Sequence, residues 1–276
     1  MSGASVRARR QRGPVKTVVA VVLLALLLFP VYWMLNISLQ PSGNALAGTF
    51  FPTHPSLAGY RSAIADQGGH LVISLLIAAG TVVLTLVVAA PCAYALAQFR
   101  FRWISWALLA ILISQMIPGI VIANALYTAY ERIGLLDSVP GLIIANSASS
   151  IPFGILIMRS FMLGVPPSIV EAARVDGAGL VRAFLSIVVP ISRNSMITVG
   201  LFSFLFAWSD FIFALTLTTK GQVVPVTLGI YTYLGAHIAN WSAVMATAVL
   251  ASIPAIVLLV VAQRYIAAGA TGGAVK

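Results

Sequence analysis

An all-α membrane protein is the fold the sequence predicts, with six transmembrane helices and a cytoplasmic helical loop between the fourth and the fifth. Three observations lead there. First, the chain of 276 residues is 60% hydrophobic and only 8% charged, with a mean hydropathy of +1.02. A soluble domain carries about a quarter charged residues, so there is too little polar surface here to face water, and lipid is the solvent. Second, residues 17–60, 67–99, 103–130, 138–158 and 221–263 contain no Asp, Glu, Lys or Arg, and 194–219 contain only Asp210. Each interval has room for one spanning helix of roughly 20 residues. Third, four of the 16 basic residues and two of the six acidic ones crowd between Arg159 and Arg193, a polar island with long apolar flanks.

The elements follow in order. Residues 1–16, with Arg7, Arg9, Arg10, Arg12 and Lys16, are a basic tail. The apolar run from Thr17 to Leu39 is too long for a cleaved signal and lacks a clean Ala-x-Ala site, so it reads as a retained first span. Residues 17–70 comprise this span, 17–39, and an outer loop, because Gln40-Pro-Ser-Gly-Asn and Phe51-Pro-Thr-His-Pro are turn-forming. A core, 71–266, holds spans at 71–97, 104–128, 140–162, 192–218 and 242–264, with the polar loop at 163–191. Between the last two spans, Pro225, Gly229, Gly235 and Asn240 break the segment from Gly221 to Trp241. Residues 267–276 form a second tail. Pro30, Pro91, Pro118, Pro152 and Pro254 fall within spans and predict kinks.

With an even number of spans, both termini lie on one side. If that side is the cytoplasm, every basic residue except Arg61, Arg132 and Lys220 falls on inner segments, as the positive-inside rule requires. The 163–191 island is then cytoplasmic too. The net charge of +10 is spread over several loops with no continuous basic face, which argues against nucleic acid as a partner. The single cysteine, Cys92, sits among small apolar residues and reads as core. His54, His70 and His237 have no ligand spacing, so no metal site is expected.

In the island, Pro166-Pro167 ends the fourth span. Ser168 and Glu171 have capping-box spacing and predict a short helix that runs through Val175. Gly177 and Gly179 permit a bend, and a second helical run leads to Pro190. Ala172 and Ala173 keep the first helix thin enough to enter a groove on another protein. Taken by themselves, Glu171 reads as a local cap and Asp176 as a solvated turn residue.

The stretch Glu171-Ala-Ala-x-x-Asp-Gly-Ala, followed by Phe184, Ile187 and Pro190, resembles the EAA loop of integral-membrane permease subunits of ATP-binding-cassette importers. Met116-Ile-Pro-Gly, Ile133-Gly-Leu-Leu-Asp-Ser, Pro152-Phe through Arg159-Ser-Phe, Phe206-Ala-Trp-Ser-Asp-Phe and the tail from Gln263 are similar to the carbohydrate-importing branch of maltose type. The resemblance runs from about residue 70 to the C-terminus. Departures are Asn194 where a further proline is common, Val72-Ile-Ser74 where Asn-Ser is common, and Ser209 after Trp208 where Asn is common.

The resemblance implies a sugar-importer subunit in the inner cell membrane that forms half of a translocation pathway. Glu171, Ala172, Ala173, Asp176, Gly177 and Ala178 would couple it to a separate ATPase. It implies as partners a second homologous permease subunit, two ATP-binding-cassette ATPase subunits and an extracytoplasmic solute-binding protein. No Gly-x-x-x-x-Gly-Lys-Ser/Thr frame occurs in the chain, so ATP and Mg are expected to act on the partner ATPase subunits and the chain itself to bind no cofactor.

Asp210 is the one acidic residue placed inside a predicted span, where a charge points to function. It could line a polar cavity beside Trp208, with Gln115, Asn124 and Asn146 facing the same space. Interhelical hydrogen bonding is the plainer alternative for the amides, and hydration near the outer interface is the alternative for Asp210. Tyr127, Tyr130, Tyr231, Tyr233 and Trp241 fit an interfacial belt. A rival is an ion-coupled secondary transporter centred on Asp210, although such carriers gather several ionisable or discontinuous-helix sites near the midplane. A membrane-embedded enzyme would need a nucleophile–base pair or metal ligands, and the scattered histidines and acids offer neither.

Overall fold

The computed structural model describes residues 13–41, 49–99, 102–236 and 240–272. The predicted tail residues 1–12 and 273–276, Arg100 and His237 lie outside them. Regular structure among the described residues is helical throughout. The elements are α1 (Gly13–Ser38), α2 (Ala58–Gln98), α3 (Ile104–Ser114), α4 (Gly119–Ile133), α5 (Val139–Met162) and α6 (Pro167–Val175). Then come α7 (Leu180–Ala183), a π-helical turn (Phe184–Val188), α8 (Val189–Ile191), α9 (Arg193–Trp208), α10 (Ile212–Leu217), α11 (Val226–Ala236) and α12 (Trp241–Gly272).

Four stretches, Lys16–Ser38, Ala58–Gln98, Val139–Met162 and Trp241–Gln263, are long and apolar enough to cross a bilayer. The number is six when two bent pairs, Ile104–Ser114 with Gly119–Ile133 and Leu180–Ile191 with Arg193–Trp208, each count as one span. Four of the predicted spans have a single helix as counterpart and the third and fifth overlap the bent pairs; three of the six differ in ways that chemistry explains.

Helix α2 has 41 residues and would measure about 60 Å, twice the hydrocarbon thickness. It starts 13 residues before the predicted 71, because Arg61 and Asp66 are excluded from hydrocarbon but not from a helix. The predicted third span, 104–128, is not one helix: α3 and α4 meet at 93°. Pro118 cannot donate a backbone bond and sits as the N-cap of α4 at ψ 136°, out of helical register. The predicted fifth span, 192–218, stops at Trp208. Asp210 ends it by turning its carboxylate onto the amides of Phe213 (3.2 Å) and Ala214 (3.1 Å), the local bonding by which Asp favours caps over helix interiors.

The chain divides into two compact units, one of residues up to Asp66 with Tyr233–Leu250, the other of Gln67–Thr232 with the residues from Ala251 onward. In the first, the buried Asn36 amide donates to Thr49 O (2.7 Å), Ser38 bonds Tyr60 (2.8 Å) and Tyr233 donates to Asp66 (3.0 Å). Burial first, and then the Asp66 carboxylate, push the Tyr233 hydroxyl up to about 12. The phenol therefore stays protonated and keeps donating at any physiological pH. Along α1 the side chains from Val18 to Leu28 are all exposed, as expected of a surface that faces lipid or another subunit.

In the second unit, α2, α5 and α9 share a core of Ala89, Ala90, Ala93, Ile155, Met158, Met162 and Val199. Small residues let the helices approach closely, as in membrane bundles generally. A Cβ at Gly154 would lie 3.0 Å from Val199 and 3.2 Å from Ala89. Gly154→Leu is therefore expected to force the three helices apart, an overpacking cost of about 1–3 kcal/mol or more. A lower melting midpoint and reduced membrane yield would show it. Ser74, at the end of the Val72-Ile-Ser74 stretch that departs from the resembled pattern, is buried and accepts the Val226 amide at 2.7 Å, tying the start of α11 to α2.

Candidate functional site

Two places carry all but two of the predicted site residues: the polar elbow after α5, and a cleft among α3, α4, α5, α9 and α10.

The elbow is built by its prolines and glycines. Pro166 is the N-cap of α6 and Pro167 its first residue, the position where a missing N–H costs nothing. This corrects the predicted capping box: no side-chain capping bond is made at this end, because the helix begins two residues early and leaves Ser168 inside its first turn. The C-terminus is a Schellman motif. Gly177 N donates to Arg174 O (3.1 Å) and Ala178 N to Ala173 O (2.9 Å), with Gly177 at φ +88°, where a side chain would be strained.

After Gly179 the chain re-enters helix at Leu180. Pro190 has no amide for the carbonyl four residues back and would press on it. The chain widens there, with Val189 donating to Phe184 O across the π-helical turn. An 80° bend then leads into α9.

One face of the elbow is anchored. Val170, Ala183 and Val188 are buried with Met158, Met162 and the Ala89–Ala93 stretch, and Ala178 and Phe184 pack against that cluster. Tyr94 and Phe184 rings lie 5.5 Å apart. The other face is free. Glu171, Ala172, Asp176 and Gly177 are exposed, and Ala173 and Ala178 are half-buried. The sequence reading passed over Val175, Leu180 and Val181, which are 88%, 63% and 71% exposed. Apolar side chains are thus displayed beside Glu171 and Arg174 on a polar loop, the kind of exposure that suits contact with a protein or a membrane surface. Their signal in the sequence was their position on either side of Gly177-Ala-Gly179.

Gln98, also not foreseen, holds the elbow's root. The last carbonyls of a helix lack partners within it, and the Gln98 amide donates to Met162 O (2.8 Å) at the end of α5 and to Val165 O (3.0 Å) just past it. Arg159 Nε donates to Leu96 O (3.1 Å) alongside. Gln98→Leu is expected to lower stability by about 1–2 kcal/mol, read as a melting midpoint a few degrees lower, with the helices still inserted.

The cleft has a volume of about 340 Å³, within the range of small-molecule sites. Gln115, Asn146 and Asp210 line it, together with Ser114, Ser149 and Ser209. The structure thus brings three of the five predicted pathway residues together. Asn146 donates to Leu142 O (2.9 Å) and lines the cleft together with Asp210.

Trp208 does not belong there. It is buried, stacks on Phe204 at 5.5 Å and donates its indole N–H to Ala251 O at 3.0 Å, so it is a packing residue beside α12. Asn124 is exposed and absent from the lining, whereas Ile122 is on it; two positions turn a helix by about 200°. The aromatic surface of the cleft is instead Phe206 and Phe213, and Phe206 meets Phe153 edge-on at 5.5 Å. Among the described residues no group of His, Cys, Asp or Glu has metal-site geometry.

Comparison with known proteins places this architecture. Residues 89–271 match the family described as the binding-protein-dependent transport system inner membrane component. The chain is 36% identical to the probable ABC transporter permease protein y4oR of Sinorhizobium fredii, over 92% of each chain. It is 32% identical to the trehalose transport system permease protein SugB of Mycobacterium tuberculosis, over 90% of this chain and 92% of that one. Its backbone is similar to a chain of a bacterial ABC transporter involved in the import of the acidic polysaccharide alginate. The TM-score is 0.81 over 96% of this chain and 99% of that one at 21% identity, a likeness of fold.

Proposed function

From the premise that the chain belongs to the family of binding-protein-dependent transport system inner membrane components, we propose that it is the permease subunit of an ATP-driven sugar importer. It forms half of the pathway and is moved by a separate ATPase through the elbow of α6 and α7. The observation that carries this reading is the elbow's two-faced construction. Its buried face joins α2 and α5, and α5 also supplies Asn146 to the cleft. Its free face offers Glu171, Arg174 and Val175 to a partner. A push on the free face is delivered to α5, which borders the cleft.

Sugar as cargo is supported by relatives such as the trehalose permease subunit and by the lining of the cleft, where amides, hydroxyls and the Phe206 ring suit hydroxyl groups and apolar ring faces. The elbow is assigned to the cytoplasm on the distribution of Lys and Arg. ATP with Mg, the second permease subunit, the paired ATPases and the solute-binding protein complete the proposed assembly. The ion-coupled alternative gains nothing from the geometry, since both Asp210 oxygens cap α10.

The test is to capture the tagged chain from native membranes and reconstitute what comes with it. An associated ATPase and solute uptake that requires ATP inside the ATPase-facing compartment are expected. A chain that purifies without any ATPase, and whose uptake follows an imposed proton gradient, would refute the reading.

A further inference from the structure

The motif Ile133-Gly-Leu-Leu-Asp-Ser has no part in the elbow or in the lining of the cleft. The structure nevertheless builds it with care. Gly134 ends α4 at φ +70°, and Ser138 caps α5 by accepting the Gly141 amide at 3.1 Å while donating to Leu135 O at 2.7 Å. A Cβ on Gly141 would lie 2.3 Å from Leu135 O, so the turn is closed tightly. Within it, Asp137 is the one non-glycine among the described residues with a positive φ, +53°. Such backbone strain persists where surrounding bonds fix it, and it gathers at switch regions.

The bonds that fix Asp137 all run to the far end of α10. Its amide donates to Leu217 O (3.0 Å). One carboxylate oxygen accepts the Lys220 amide (2.7 Å) and the other the Thr219 hydroxyl (2.8 Å). Helix α10 is thus held at both ends by acids, Asp210 at its start and Asp137 beyond its last turn. Between them Phe213 lines the cleft and packs into a cluster with Ala123, Leu142 and Leu217. Helices α4 and α5 line the cleft with Ile122 and Asn146, and α10 lines it with Phe213, so bonds from the α4–α5 turn to the end of α10 oppose the separation of these helices. The latch lies at the start of α5, whose 24 residues put it about 35 Å from the elbow.

We propose that Asp137 is a positioning residue of the transport cycle: its carboxylate latches α10 to the α4–α5 turn and keeps the end of the cleft remote from the ATPase closed until the solute-binding protein docks. This rests on the permease reading above.

The test uses the whole complex in proteoliposomes and measures ATP hydrolysis with no solute-binding protein added. Losing charge-assisted bonds of this kind shifts a two-state balance roughly tenfold. Asp137→Gly removes the carboxylate and suits the backbone angle, and Asp137→Ala removes it without that relief; both are expected to raise unstimulated hydrolysis by about that factor. Asp137→Asn keeps an acceptor for Lys220 and tolerates the angle, and is expected to stay within about threefold of wild type. Thr219→Val, which leaves Asp137 intact, is expected to fall between. A role in stability alone would lower hydrolysis and never raise it.

Unchanged or reduced unstimulated hydrolysis in Asp137→Gly and Thr219→Val complexes that assemble normally would overturn the latch. A wild-type complex with no ATP-dependent uptake would overturn the permease reading instead, so the two failures are separable.

Discussion

Gly177→Pro is expected to abolish ATP-driven uptake while the protein still inserts and keeps its other helices. The native φ of +88° is far from the roughly −65° that proline imposes. Proline would also remove the amide that donates to Arg174 O. Both halves of the Schellman closure fail together, at a cost of about 3 kcal/mol or more, on the order of a hundredfold in the population of the native elbow. The damage stays local because nothing lies within 4 Å of where a Gly177 side chain would stand. Glu171→Lys separates shape from surface. Glu171 is exposed, so its stability should change by less than about 0.5 kcal/mol, while the charge presented to the ATPase reverses. Uptake per ATP hydrolysed is the quantity to measure. Wild-type uptake in both variants would remove the elbow from the coupling pathway.

The second large effect is expected at Asp210. Asp210→Leu leaves the amides of Phe213 and Ala214 without their acceptor, a loss of about 1–3 kcal/mol, and takes the one charge from the lining of the cleft. Helix α10 should loosen at its start and uptake should fall about tenfold or more. Asp210→Asn retains a good N-cap side chain and should be the milder of the two. In intact cells the uptake that remains in Asp210→Asn should follow the ATP level and survive collapse of the proton gradient. The opposite dependence is the signature of a carrier centred on Asp210.

Much of this architecture was legible because lipid simplifies the code. Intervals without charge located the spans, and the Pro166-Pro167, Gly177 and Pro190 punctuation located the elbow and its bend. What composition could not locate were the breaks inside apolar stretches. Pro118-Gly119 reads equally as a kink or as a corner, and only packing makes it a 93° corner. Asp210 was visible as a charge in a span, but its cost in hydrocarbon was relieved by ending the helix, not by continuing it. The errors at Trp208 and Asn124 share one cause: their chemistry suited a cavity, while the direction a side chain takes depends on helix phase, which the unforeseen breaks had reset. Gln98 and Asp137 were hidden for another reason. Their partners are carbonyls and amides 64 to 83 residues away, and backbone groups leave no trace in residue type.

The central claim is that the free face of the elbow points into the cytoplasm and is gripped by an ATPase. Val175, the most exposed of the apolar side chains there, is the position to probe, as Val175→Cys with Cys92 replaced by alanine. A membrane-impermeant maleimide is expected to label it in inside-out vesicles stripped of the ATPase, to be excluded when the ATPase is restored, and to leave it untouched in intact cells. Labelling of Val175→Cys from outside intact cells would contradict the account.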